Sequence, residues 1–336
     1  MRRGMFGSLV ENDAYKQAEK DWFVQLSQSD MYWYNLIVNP QEPFDTRKLI
    51  TGYLKWLKKE VEENLDKRFV YFICSRVKIR FNTNKKPSYS LFTGKLKLHI
   101  LLGKANKEIV VKTPIIDPHT NKRLKPKVDL TDKFITLTNK HGHKITMSIH
   151  DFFLEAQINI GQATKIQYVG YTKNPDTRPT DGAHAGLNEV LYKVSNEEND
   201  ILIFFNLFKV MTNAINNMAP VNFVVSNAMT DEVEVDLEGK IIEKCFILYF
   251  DSNNQTKNKE TERSQLKNNL LKLSKENKIK TVQVYYELHK PSEYWEFFSS
   301  SVRPSARHIF TATIEDGKIK ITNGSRLFSE VLEPWV

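Results

Sequence analysis

The chain lacks most of the features that classify a protein at sight. Its 336 residues include two cysteines. Cys74 and Cys245 each sit in an apolar stretch without metal-ligand spacing, so both read as buried small hydrophobes rather than redox or zinc groups. No apolar run approaches the roughly 18 residues that a membrane-spanning helix needs. The N-terminal stretch MRRGMFGSLVENDAY holds two arginines but no apolar run of secretory length, and the expected location is the cytoplasm. There is no phosphate loop, GxGxxG, HExxH or GxSxG, and no internal repeat. His141, His143 and His150 have no Cys or carboxylate to complete a metal set, and read as turn and surface histidines.

What is present points to several modules. Hydrophobic residues make up 40% and charged residues 26% of the chain, enough apolar content for sizeable cores at a length that suits two or three units. The net charge is +9, and it is unevenly spread. Between Arg76 and Lys144 there are 17 Lys or Arg against 4 Asp or Glu, which leaves the rest close to neutral or slightly acidic. Concentration in one segment, interleaved with strand-forming residues, favours a surface for a phosphate backbone over an ordinary solvated sheet face. The candidate nucleic-acid contacts are Arg76, Lys78, Arg80, Lys122, Arg123, Lys125 and Lys127. DNA is the expected partner, with a protein partner or a second copy of the chain left open.

Hydrophobic periodicity divides the chain four ways and gives an α+β fold. Residues 1–68 read as a helical segment. Tyr15, Ala18, Trp22 and Leu26 fall on one helical face over 12–28. Leu49, Ile50, Tyr53, Leu54, Leu57, Val61 and Leu65 form a stripe over 46–66, with Asp45 as N-cap. At Phe69 the period changes from 3.6 to 2, so 69–150 reads as a basic β-rich module. It contains FVYFICSRVKIRF and YSLFTGKLKLHILL as half-buried strands. Residues 151–255 hold a short helix, a strand at 166–169, a helix near 187–194, the apolar run ILIFFNLFKV and a helix around Ile242, Phe246 and Phe250. The polar SNNQTKNKETERSQ reads as a linker, and 256–336 as a C-terminal α/β extension. Its last two strands are joined by Asp316-Gly317, a hairpin signal.

The stretch KIQYVGYTKNPDTRPTDGAHAGLNEVLYKV carries the chemistry. A short strand breaks at Gly170, turns through Asn174-Pro175 and gives way to a helix. Tyr168, Arg178 and His184 cluster around that turn. A phenol, a guanidinium and an imidazole together suit an anionic phosphate and its proton transfers.

Tyr168-Val169-Gly170, Thr172-Lys173-Asn174, Arg178 and His184 resemble the second half of the GIY-YIG nuclease signature. Glu243, in IIEKCFILYFDSNN, stands where that family carries a helical Glu, with Asn253 or Asn254 following. The likeness covers about a third of the chain, mainly 165–255, and implies a small antiparallel sheet with helices. It also implies a metal-dependent DNA endonuclease, with restriction or phage defence as its setting. In the roles it suggests, Glu243 holds Mg²⁺ or another divalent cation, Arg178 stabilises developing charge, Tyr168 orients water or phosphate, and His184 moves a proton. The family's first motif belongs about ten residues before Tyr168, where this chain reads LEAQINIGQAT without a tyrosine. Tyr171, Tyr192 or His184 could stand in for it. The other reading is a catalytically inactive domain of the same fold, kept for DNA binding or complex assembly.

Overall fold

The side chain of Asn12 accepts hydrogen bonds from the backbone of Ala14 and Tyr15 and caps a single turn, α1 (Asp13–Gln17). The chain then extends into the 15-residue strand β1 (Glu19–Trp33) instead of continuing as a helix. Trp22 and Leu26 are four apart, a spacing that fits either period. Val24 between them is also buried, and alternation decides in favour of the strand. The helical reading of 12–28 is thereby corrected.

The computed structural model describes residues 3–40, 45–64, 67–117, 120–178, 185–194, 196–216, 221–252, 259–289 and 292–324. After α2 (Tyr34–Val38), Asp45 accepts from the backbone N–H of Lys48 at 3.0 Å and α3 (Thr46–Asn64) begins. Its stripe is narrower than expected. Leu54 and Leu57 are buried, whereas Leu49 is 63% exposed and Tyr53 is exposed as well; Leu65 lies outside the described residues.

The long alternating segment after Phe69 is two strands, β2 (Phe69–Val77) and β3 (Ile79–Phe81). They part at Lys78, whose N–H donates to the carbonyl of Glu198, while that of Ile79 donates to the carboxylate of Asp200. Phe69 to Cys74 are all buried, so β2 is covered on both faces rather than half-buried.

The basic module follows. It contains β4 (Ser88–Tyr89), β5 (Leu96–Leu102), β6 (Lys107–Thr113), β7 (Ile115–Ile116), β8 (Arg123–Leu124), β9 (Lys127–Leu130), β10 (Phe134–Thr138) and β11 (Lys144–Ser148). They form a four-stranded sheet with β5 at its centre, a three-stranded sheet β11-β10-β9 and the hairpin β7-β8. Helix α4 (Ile149–Glu155) then leads to β12 (Thr164–Thr172).

The remaining elements are α5 (Ala185–Lys193), β13 (Asn199–Asn216), β14 (Val221–Ser226), α6 (Asn227–Thr230), α7 (Val235–Phe250), α8 (Lys259–Glu276), β15 (Ile279–Glu287), β16 (Phe297–Phe298), β17 (Arg307–Glu315) and β18 (Lys318–Asn323). Half of the segment read as a linker is thus the start of α8, and residues 253–258 lie outside the described set. Asp316 and Gly317 both take positive φ, 48° and 69°, as a tight hairpin requires.

A nine-stranded sheet in the order β16-β12-β2-β13-β1-β15-β17-β18, with β14 also paired to β13, runs through the molecule. Strands from residues 1–68, 151–255 and 256–336 pair with β2 and with one another within it, and among the described residues the β3–β11 module alone forms sheets of its own. Residues 1–68 are therefore not a helical unit but supply a central strand. The fold is α+β. No helix among the described residues is long and apolar enough to cross a membrane.

Buried charge ties the module to the sheet. Arg76 is 1% exposed; its guanidinium pairs with Glu293 and lies 4.0 Å over the ring of Tyr294. The other oxygen of Glu293 accepts from the backbone of Ile160, Gly161 and Gln162. Alongside, Asp200 accepts from Arg80 and meets His150. Burial alone would raise the Asp200 carboxyl, but His150 and Arg80 outweigh it and hold it down to about 2. His150 is fully buried between Asp200 and Tyr294, not a surface histidine. Both cysteines are free and buried, as the sequence indicated.

Removing one partner of such a pair strands the other charge, so Arg76→Ala is expected to cost about 3–5 kcal/mol. Lys122→Ala should leave the unfolding midpoint unchanged. Urea denaturation of both variants checks this; an Arg76→Ala chain as stable as wild type would show that the pair is not holding the joint.

Candidate active site

Alternation along β2 sends Val70, Phe72 and Cys74 to the face covered by α7 and α8. Phe69, Tyr71 and Ile73 go to the face covered by α2, α3 and α5. On β12 the alternation is interrupted. Its register against β2 slips between Ile166 and Tyr168, and this bulge puts Ile166 on the first face and Tyr168 on the second. The two tyrosines thus share a face, with ring centroids 6.2 Å apart and planes 25° from parallel.

Two glycines make room for these rings. Gly170 lies opposite Tyr71 in the ladder, and a Cβ there would stand 2.3 Å from the Tyr71 phenol oxygen. A Cβ on Gly186, in α5, would stand 2.5 Å from the Tyr168 ring. Any side chain at either position would displace a phenol.

Arg178 is exposed and sits on the turn after β12, where its backbone N–H donates to the carbonyl of Asn174 at 2.9 Å. The next helix, α5, begins only at Ala185. Burial raises the pKa of Tyr71, Tyr168 and Glu243, and the positive charge of Arg178 opposes that rise in each.

Glu243 arrives from the other face. Ile242, Phe246 and Phe250 bury α7 against Val70, Phe72 and Val169. Along β12, β16 pairs with Thr164 and Lys165, and among the described residues no strand pairs with the outer edge further along. There the Tyr171 N–H donates to Glu243 Oε1 at 3.1 Å. Burial pushes the Glu243 carboxyl up to about 7; Glu262 raises it too, while Lys244, the Tyr171 N–H and Arg178 oppose the rise. Burial, helped by Glu243, pushes the Tyr168 phenol up to about 12, and burial raises Tyr71 as well. Both phenols are therefore neutral hydrogen-bonding groups near neutral pH.

The structure brings Tyr168, Arg178 and Glu243 within electrostatic reach of one another and adds Tyr71, which sequence reading missed. His184, Asn253 and Asn254 lie outside the described residues. Tyr171 faces the α7 side, and Tyr192 is 91% exposed on α5, so neither stacks with Tyr168. The signal for Tyr71 was its place on a buried strand. It could not be found by looking ten residues upstream, because the whole module lies between β2 and β12.

Of the candidate nucleic-acid contacts, Arg76 and Arg80 are corrected. Arg76 is buried against Glu293, and Arg80 pairs with Asp200 and lies 4.9 Å over the Trp33 ring. Both act as joints rather than phosphate ligands. Lys78 is half-buried at the strand break, whereas Lys122, Arg123, Lys125 and Lys127 are exposed. Lys127 pairs with Asp129 at 3.3 Å.

Among the described residues no group of three or more His, Cys, Asp and Glu is placed to hold a metal. Glu262, which also faces the site, is tied to Lys244. The available donor is one carboxylate, Glu243, whose Oε2 accepts no hydrogen bond among the described residues, with two neutral phenols on the other face of the sheet within reach of its charge. That suits a hard cation which keeps most of its water, such as Mg²⁺, and does not suit a caged transition metal.

No family model matches the chain, and no match is found among curated proteins or among solved structures.

The folded chain holds the Glu243 proton up to about pH 7, whereas an ordinary glutamate gives it up near 4.5. Its contribution to stability is therefore full below about pH 4.5 and lost as the pH rises through 7. In metal-free buffer the wild type should lose on the order of 3 kcal/mol relative to Glu243→Gln between about pH 4 and pH 8. Urea unfolding of the two across that window measures it. Identical pH profiles would contradict the assignment.

Proposed function

We propose that the chain is a metal-dependent DNA endonuclease of GIY-YIG type, in which Tyr71 on β2 takes the part of the first-motif tyrosine. The observation that supports it best is the convergence of Tyr71, Tyr168, Arg178 and Glu243 from a strand pair, a turn and a helix on opposite faces of the sheet. On this reading the basic module is an insertion between the two tyrosine-bearing strands.

In the proposed reaction the exposed guanidinium of Arg178 binds a non-bridging phosphate oxygen and stabilises the charge that grows on it. Tyr71 and Tyr168 keep their protons at neutral pH, so they orient the attacking water and the phosphate rather than abstract a proton. Their preorganisation comes from Gly170 and Gly186, which fix the rings. Glu243 is the cation ligand and must be ionised to serve. A divalent cation, when bound, supplies Lewis-acid polarisation of the scissile phosphate. Lys122, Arg123, Lys125 and Lys127 hold the DNA backbone elsewhere along its length.

Plasmid DNA incubated with Mg²⁺ tests this reading. Cleavage is expected with wild type. Tyr71→Phe, Arg178→Ala and Glu243→Ala should each reduce it by at least about a hundredfold, the scale on which single groups aimed at a transition state act. A Tyr71→Phe chain that cleaves normally would remove the tyrosine from the site. DNA binding that weakens with salt but brings no cleavage would favour the inactive, DNA-binding form of the same fold.

A further inference from the structure

The turn between β4 and β5 presents two apolar side chains that no described residue covers. Leu91 is 94% and Phe92 99% exposed. The turn that carries them is nonetheless firmly built. Ser90 N–H donates to the Lys95 carbonyl, and Gly94 N–H donates back to the Ser90 carbonyl, both at 2.9 Å. Gly94 takes φ +62°, which an ordinary residue would resist.

The turn is also anchored from the side. Arg123 Nη1 donates to the Thr93 carbonyl at 3.1 Å, and the Tyr89 hydroxyl donates to the Pro126 carbonyl at 2.7 Å. A hairpin held at this many points keeps its tip projecting.

The surroundings say what the tip meets. Segments 85–97 and 120–127 carry eight lysines and arginines and no aspartate or glutamate; Lys85 and Lys127 pair with Glu108 and Asp129 from neighbouring segments. Arg123 and Lys125 are exposed, and Lys125 Cε lies 3.5 Å from where a Cβ on Gly94 would be. The Thr93 contact uses one N–H of Arg123; a guanidinium has others to offer a phosphate.

A bare apolar tip with Arg123 and Lys125 at its side matches a polyanion with an apolar interior close behind its charges. A nucleic-acid duplex is such a partner, since Leu and Phe wedges enter between base pairs while cations meet the flanking phosphates. An anionic membrane has the same two layers but needs more buried apolar area for stable attachment than two side chains supply.

We propose that the Ser90–Lys95 turn is a wedge that inserts Leu91 and Phe92 between stacked base pairs of duplex DNA, with Arg123 and Lys125 on the adjacent phosphates. The proposal rests on the DNA-directed reading of the chain and adds to it that the bound duplex is unstacked and bent.

Because the wedge needs no catalysis, its test uses the full chain in EDTA. The probe is a duplex of about 30 base pairs with 2-aminopurine beside flexible pyrimidine–purine steps, where unstacking costs least. Wild type should bind it and raise the 2-aminopurine emission severalfold. The Leu91→Ser/Phe92→Ser variant should bind within about threefold of wild type at low salt, where phosphate contacts dominate, and give no rise. Phe92→Trp should bind with its indole emission quenched on stacking.

Binding by wild type without a rise, or a rise undiminished in the double variant, would overturn the wedge while leaving the nuclease reading intact. Absence of cleavage with Mg²⁺ would strike the nuclease reading alone. A chain that ignores the duplex overturns the wedge as well as DNA binding. If that chain instead binds phosphatidylserine vesicles in a manner dependent on Leu91 and Phe92, the tip belongs to a membrane.

Discussion

β2 and β12 pair antiparallel with Tyr71 opposite Gly170, and the candidate site depends on that register. The bulge at Gln167 turns Tyr168 onto the face of Tyr71, while the absence of a side chain at Gly170 lets the Tyr71 phenol lie across the ladder. A slip of one residue by β12 would send Tyr168 to the α7 face and part it from Tyr71. The register is hard to slip because β2 is buried on both faces, with Phe72 packed edge-on against Phe246 and Phe297. The same packing fixes α7 and so determines where Glu243 meets the edge of β12. Hydrophobic burial thus decides the position of the polar groups.

Between these two strands the chain leaves the sheet, builds the basic module and returns. Such an excursion is tolerable only if its exit and return points are held, and the buried charges hold them. Arg76 at the end of β2 meets Glu293, whose other oxygen gathers the backbone at 160–162 just before β12. Asp200 binds the start of β3 through Ile79 and Arg80, and binds α4 through His150. The pairs lie in the low-dielectric interior and satisfy backbone donors as well as side chains, so they fix geometry in a way that exposed lysines cannot. The contrast with Lys122, Arg123 and Lys125 divides the module's positive charge into a structural part and a surface part.

The α+β class was readable because long apolar periodicities survive tertiary packing. ILIFFNLFKV is short and apolar throughout, as a strand buried on both faces is, and Ile247 beside Phe246 makes Ile242, Phe246 and Phe250 one side of a helix. Tyr168 and Arg178 were readable as neighbours because one turn joins them. Tyr71 was not, since strand pairing across an inserted module leaves no trace in local spacing. The first strand was misread because Trp22 and Leu26 fit both periods. Arg76 and Arg80 were misread for an electrostatic reason: their partners, Glu293 and Asp200, are far away in sequence, and a count of local charge cannot see them.

The central claim is that Tyr71 and Tyr168 flank a cation held by Glu243. It is tested most directly by titrating Mn²⁺ into the chain labelled with 3-fluorotyrosine and following the fluorine resonances of its 13 tyrosines. The resonances of Tyr71 and Tyr168, assigned with Tyr→Phe variants, should broaden at the lowest Mn²⁺ concentrations, and Glu243→Gln should abolish the effect. Broadening that spares these two, or that survives Glu243→Gln, would contradict the account.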